Sequence, residues 1–171
     1  MRLQRSPAVS DQVSLQVLGA EDRNAVQMAL FLALSWDDPP GIPDLVTVMA
    51  HPEVVIYHQG WGRTGDVGVS ALVGDEVVGA TFARLFTEES HGHGYVDAAT
   101  PELGIGVARA HRGQGIGRRL MDCLADLARV EGIRRLSLSV NNPNPAKRLY
   151  ESLGYKIVED DGESSTMVLS L

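Results

Sequence analysis

The sequence predicts an α/β (α+β) domain built on a mixed sheet. Two observations carry this. Short β-rich runs alternate with stretches of helical periodicity in the order β-α-α-β-β-β-α-β-α-β-β, and a hairpin sits mid-chain where a pure βαβ repeat would put a crossover helix. With 171 residues the chain favours one domain with one sizeable core. Residues 1–11 read as a disordered tail and 12–171 as the folded unit.

The elements follow in order. In "VSLQVLG", Val13, Leu15 and Val17 alternate as in a strand. "AEDRNAVQMALFLALSW" carries helix formers with apolar spacing, and "DDPPGIPD" stops it, because paired prolines and a glycine cannot continue a helix. "PDLVTVMAHPEV" reads as a second, shorter helix. Two β-rich runs then flank Gly74-Asp75, a hairpin signal. "TEESHGHGYVDAAT" is a polar loop and "PELGIGV" a strand. "GRRLMDCLADLARVEG" is an amphipathic helix with Leu120, Leu124, Leu127 and Ala128 on one face. "LSLSV" alternates cleanly. The next helix, "NPAKRLYESLG", has Asn144 as N-cap, Pro145 at its first position and Gly154 as its stop. "YKIV" and "STMVLSL" close the sheet.

Composition narrows the function classes. The longest mostly apolar run, Ala25 to Trp36, is shorter than the ~20 residues a membrane span needs, and the N-terminus lacks an apolar signal core. The expectation is a cytoplasmic protein with no membrane partner. A lone Cys123 excludes an internal disulfide or a cysteine zinc cage, and no catalytic-cysteine pattern surrounds it. The net charge is −7, yet Arg109 to Arg135 hold seven arginines against three acids, a local +4 that leaves −11 for the remainder. Such a distribution argues against nucleic acid, which wants a broad basic surface, and suits a small polyanion.

The basic segment opens with "VARAHRGQGIGRRL", where Gly113, Gly115 and Gly117 alternate among Arg109, Arg112, Arg118 and Arg119. A strand, a glycine turn and a helix start present several backbone N–H groups to one anion. Glycine removes the Cβ that would hold the ligand away. Phosphate or pyrophosphate is the natural guest. The Walker pattern is absent, since the lysine and hydroxyl are missing, and the spacing is G-x-G-x-G, not the dinucleotide G-x-G-x-x-G.

"RGQGIG", Arg112 to Gly117, resembles the Arg/Gln-x-x-Gly-x-Gly/Ala signature of the GCN5-related N-acetyltransferases (GNAT family). "PELGIGVARAHRGQGIGRRLMDCLADLAR" is similar to that family's fourth strand and pyrophosphate helix, and "LSLSVNNPNPAKRLYESLGY" to its fifth strand and following helix. Together they cover about residues 101–155. The resemblance implies a mostly antiparallel sheet splayed between strands 4 and 5, acetyl-CoA as co-substrate, and no metal. It implies the CoA pyrophosphate on the backbone of Gly113, Gln114, Gly115, Ile116, Gly117 and Arg118, with Arg112 beside it. Ile105, Gly106 and Val107 would contact the pantetheine and the thioester carbonyl, Asn144 would reach the cofactor, and Tyr150 would protonate the departing thiolate.

The acceptor amine must be neutral to attack, and Glu102 is the base candidate. On a strand starting at Pro101, Glu102, Gly104 and Gly106 share a face. A carboxylate followed by two bare positions suggests a strip for a thin ligand arm. The competing reading is a solvated strand-end acid, with water carrying the proton. Tyr150 shares a helical stripe with Ala146, Leu149 and Leu153, so a purely packing role competes with the acid role. His91 and His93 in "SHGHG" read as exposed rather than metal-ligating, while His51 and His58 are acceptor-site candidates. The loop "HQGWGRTGD", His58 to Asp66, is either a packed turn or an acceptor contact.

The function expected is direct acetyl transfer from acetyl-CoA to a primary amine of a small molecule or peptide. A non-catalytic acyl-CoA-binding regulatory or sensor module of the same fold is the alternative, and a different nucleotide-binding domain a third. A homodimer is compatible with all of these.

Overall fold

The structure is a computed structural model that describes residues 12–171; the predicted N-terminal tail, 1–11, lies outside the described residues. Its elements are β1 (Val13–Val17), α1 (Arg23–Leu34), α2 (Leu45–Ala50), α3 (Pro52–His58), β2 (Val67–Val73), β3 (Glu76–Arg84), β4 (Glu102–Val107), α4 (Ile116–Val130), β5 (Arg135–Asn141), α5 (Ala146–Ser152), β6 (Lys156–Asp160) and β7 (Ser164–Ser170). The strands form one sheet in the order β1-β2-β3-β4-β5-β7-β6. Every neighbouring pair is antiparallel except β4–β5.

The element order agrees with the sequence reading except in one place. The single helix expected over "PDLVTVMAHPEV" is two helices, broken at His51-Pro52. Proline lacks an N–H and pushes the residue before it out of the helical region. His51 accordingly takes ψ 134°, and its Nδ1 accepts the Glu53 amide at 3.3 Å to cap α3. At the predicted hairpin, Gly74 has φ +60°, the left-handed value that a two-residue turn requires.

Helices cover both faces of the sheet. Val26, Ala29 and Leu30 of α1 pack with Met49, Trp61, Ala80 and Phe82 on one face. On the other, Met121, Leu124 and Ala128 of α4 pack on Leu103, Leu136, Leu138 and Met167. At the far side of α4, Ile116 and Leu120 meet Val69, Ala71 and Val78. The predicted apolar stripe of α4 is thus its buried face.

One feature of the sheet creates the site. β3–β4 and β5–β7 are paired along their lengths, whereas β4 and β5 share one register pair, Glu102 opposite Ser137. The Ser137 amide donates to Pro101 O at 3.0 Å. Past that point the two strands part. Each then turns an edge with no strand partner, among the described residues, into the gap.

Candidate active site

The gap is a cleft of about 710 Å³. Its walls are Gly104–Val107 of β4 and Leu138–Val140 of β5. The glycine turn and start of α4 close one end, α5 one flank, and Leu32, Ala33 and Trp36 at the end of α1 the other. Unpaired strand edges and a helix N-terminus make this a surface of exposed backbone donors and acceptors.

The three glycines of the turn meet different demands. Gly113 and Gly115 have φ +71° and +81°, and a Cβ on either would meet nothing. Their need is conformational. Gly115 is the N-cap of α4, in the left-handed region, with no side chain to fill the site in front of the first amides. Gly117 is helical, and a Cβ there would lie 3.5 Å from Leu149 of α5.

The arginines are anchored by the protein. Arg112 lines the cleft while its Nε donates to Val107 O and its Nη1 to Trp36 O, both at 2.9 Å. It ties the end of β4 to the end of α1. Arg118 also lines the cleft and donates to Ser152 Oγ of α5 at 2.5 Å. Gln114 turns back, its Nε2 on Ala110 O at 3.1 Å, and its side chain is not part of the cleft wall.

Tyr150 lines the cleft from α5 and is 7% exposed. Burial pushes its hydroxyl up to about 12, so the proton stays on at neutral pH. Its ring lies 6.0 Å from that of Tyr155, whose own hydroxyl is buried without a hydrogen-bond partner among the described residues. Asn144 lines the cleft too, and its Oδ1 caps α5 by accepting the Ala146 amide at 2.9 Å. The helix itself runs from Ala146, one residue after the proline position expected, with Pro145 already in helical dihedrals.

Glu102 is 3% exposed, which removes the solvated strand-end reading. Its Oε1 accepts from Tyr57 Oη at 2.6 Å and from the Gly94 amide at 3.0 Å. Its Oε2 is buried with no hydrogen-bond partner among the described residues. Burial raises this carboxyl above the ordinary range, and the hydrogen bonds from Tyr57 and Gly94 oppose the rise. Glu102 is not itself in the cleft wall; Leu103, next along the strand, is. The bare strip expected beside it is filled. A Cβ on Gly104 would lie 2.7 Å from Phe82 Cζ, and one on Gly106 2.4 Å from Ala29 O. These glycines let Phe82 and α1 press onto β4, which is where a ligand arm was expected.

The histidine and loop expectations resolve as packing. His58 is buried, donating from Nε2 to Met49 O at 3.0 Å and accepting Gln27 Nε2 on Nδ1 at 3.3 Å. His51 is the exposed cap of α3. Neither lines the cleft. The His58–Asp66 loop is a packed turn, with Trp61 buried and its Nε1 on Gly19 O at 2.9 Å. His91 stacks on Tyr95 at 4.3 Å, and His93 lies 3.8 Å from Glu53. Among the described residues no three His, Cys, Asp or Glu side chains cluster to hold a metal.

Three residues escaped the sequence reading. Trp36 and Tyr57 stand in no motif. Arg84 offered a signal, a lone cation inside the apolar run "GATFARLF". It is fully buried, bonded through Nε and Nη2 to Asp66 at 3.0 and 2.6 Å.

Comparison with known proteins bears on this geometry. Residues 31–155 match the acetyltransferase (GNAT) family, and the chain belongs to it. It is 50% identical over 52 residues to streptothricin acetyltransferase of Streptomyces lavendulae, covering 30% of this chain and 28% of that one. It is 36% identical over 86 residues to mycothiol acetyltransferase of Beutenbergia cavernae, covering 49% of this chain and 27% of that one. The matches thus span little more than a quarter of either relative. An acetyltransferase from Thermus thermophilus superposes with a TM-score of 0.63 at 25% identity, covering 94% of this chain and 97% of that one. PaiA N-acetyltransferase from Thermoplasma acidophilum, solved with coenzyme A, shares the fold with a TM-score of 0.63 at 14% identity, over 93% and 99% of the two chains.

Proposed function

We propose that this chain is an acetyl-CoA-dependent N-acetyltransferase that moves the acetyl group directly onto a primary amine. One observation carries the reading: the glycine turn on the α4 N-terminus, the open edge of β4 and Tyr150 all line one cleft. The residues suit acetyl-CoA. Positive-φ glycines and Arg118 fit a pyrophosphate at a helix start. The unpaired β4 edge fits the amides of a pantetheine arm as a missing strand would.

In this reaction the amine nitrogen attacks the thioester carbonyl and forms a tetrahedral oxyanion. A backbone N–H at the end of β4, near Val107, stabilises it, a role often worth roughly 3 kcal/mol per donor. The C–S bond then breaks, and Tyr150 gives its proton to the CoA sulfur. Glu102, which lies beside the cleft wall and not in it, takes the proton lost by the amine across intervening water. Burial makes Tyr150 a weaker acid than free tyrosine but keeps it fully protonated as donor. The −11 charge outside the basic segment favours a cationic acceptor, small molecule or peptide.

The test is thermal melting with acetyl-CoA, CoA, ATP and NAD in parallel, then an amine panel with free-thiol detection. Stabilisation by acetyl-CoA and CoA alone, with turnover of a panel amine, is the expected result. Stabilisation without turnover would move the reading to a non-catalytic acyl-CoA sensor. No response to any of the four would remove the cofactor site.

A further inference from the structure

Around Glu102, at the start of β4, lies an arrangement outside the cleft wall. α3 is fastened to the sheet by Arg84, whose Nη1 donates to Ile56 O and Gln59 O at 3.0 and 2.8 Å and whose Nη2 donates to Gly60 O at 3.2 Å. These carbonyls lie at and just past the C-terminal end of α3, so Arg84 fixes where that helix ends. Between the fixed carbonyls sits Tyr57. Phe82 and Phe86 meet its ring edge-on at 6.2 and 5.2 Å. The loop after β3 closes over its hydroxyl so tightly that a Cβ on Gly92 would lie 1.5 Å from Tyr57 Oη. Ring, helix end and loop together leave this hydroxyl one place to be.

We propose that Tyr57 is a positioning residue for Glu102: its hydroxyl and the Gly94 amide together take up Oε1 and leave Oε2 as the carboxylate oxygen without a hydrogen-bond partner among the described residues. The inference rests on Glu102 serving as the proton acceptor. A carboxylate buried this deeply is costly when charged unless hydrogen-bonded. Tyr57 supplies the shorter of its two bonds. Burial also keeps the Tyr57 proton in place, so the group remains a donor throughout the neutral range.

The charged surroundings leave few competing causes. On α3, Glu53 is exposed and paired with His93. On the loop, His91 and His93 act on Glu102 only as lesser influences, behind burial and the two hydrogen bonds. On β3, Arg84 stands opposite Glu102 in register, but its guanidinium is spent on Asp66 and the α3 carbonyls. Of the partners around it, Tyr57 is the side chain that donates directly to the carboxylate.

The test is a pH titration of the side-chain carboxyl by 13C NMR in protein labelled at glutamate. The Glu102 signal is assigned as the one missing from Glu102→Gln. Tyr57→Phe keeps the ring and its aromatic contacts and removes the donor. Its Glu102 midpoint should rise by about one pH unit, tenfold in proton affinity. Gly92→Ala presses on both ends of that bond from the loop side, since its Cβ would lie 1.5 Å from Tyr57 Oη and 2.7 Å from Glu102 Oε1, and should raise the midpoint too. An unchanged midpoint in Tyr57→Phe would overturn the proposal. Failure of the underlying reading shows separately, in acetyl transfer to a panel amine. Glu102→Gln at the wild-type rate removes the base, and the positioning role with it. A slow Glu102→Gln with an unmoved titration in Tyr57→Phe removes Tyr57 alone.

Discussion

In the proposed reaction Tyr150 supplies chemistry and the glycines supply shape. Tyr150→Phe keeps the ring against Tyr155 and deletes one hydroxyl. The expected result is a fall in kcat of about 10²–10⁴, the usual worth of a positioned acid, with acetyl-CoA affinity unchanged in calorimetry. Gly115→Ala should do the opposite. It forces φ near +81° on a residue with a Cβ, roughly 1 kcal/mol of strain, and weakens acetyl-CoA binding before it touches the chemical step. The glycine turn was legible in the sequence because the residues that form it are contiguous. Tyr57 was not. Its partner Glu102 lies 45 residues away, and only the register of β3 on β4 and the ending of α3 bring them together.

At the scale of elements, the Arg84–Asp66 pair decides whether α3 and the following loop stay in place. The side chains are 0% and 2% exposed. The guanidinium also lies over the Trp61 ring, 5.6 Å from its centroid. Asp66→Asn leaves a buried cation uncompensated, which costs about 3–5 kcal/mol. The melting temperature should drop on the order of 10 °C for a domain of this size. A second element-scale prediction concerns the β6–β7 turn. Ser165 Oγ, the Gly162 amide and Asn142 Nδ2 all donate to the Asp160 carboxylate and hold it at about 2, below its ordinary 3.8. A carboxyl lowered by folding stabilises the protein above its unfolded value, and that contribution fades as pH falls from about 4 towards 2. The melting-temperature gap between wild type and Asp160→Asn should therefore close over that window. Most helices and strands were visible as periodicity, and the hairpin as a Gly-Asp turn. The break between α2 and α3 was overlooked although Pro52 marks it, because the apolar spacing continues across it.

For the whole molecule, the decisive feature is how little sheet joins β4 to β5. A ligand seated between them contacts both halves, so its binding energy is also cohesion. At 100 times its dissociation constant acetyl-CoA should add about 2.7 kcal/mol, or roughly 5–10 °C in melting temperature. The splay was legible only through family resemblance. Strand periodicity says which residues are extended, and cannot say which neighbouring strands decline to pair.

That seam also divides the molecule for amide hydrogen exchange. The strands β1 to β4 and the group β5, β7 and β6 are each continuous ladders, joined at the sheet by Glu102 and Ser137. Each can open as its own cooperative unit when the gap is empty. The protein alone should then exchange in two kinetic classes, one for each side of the seam. Saturating acetyl-CoA should merge them into one.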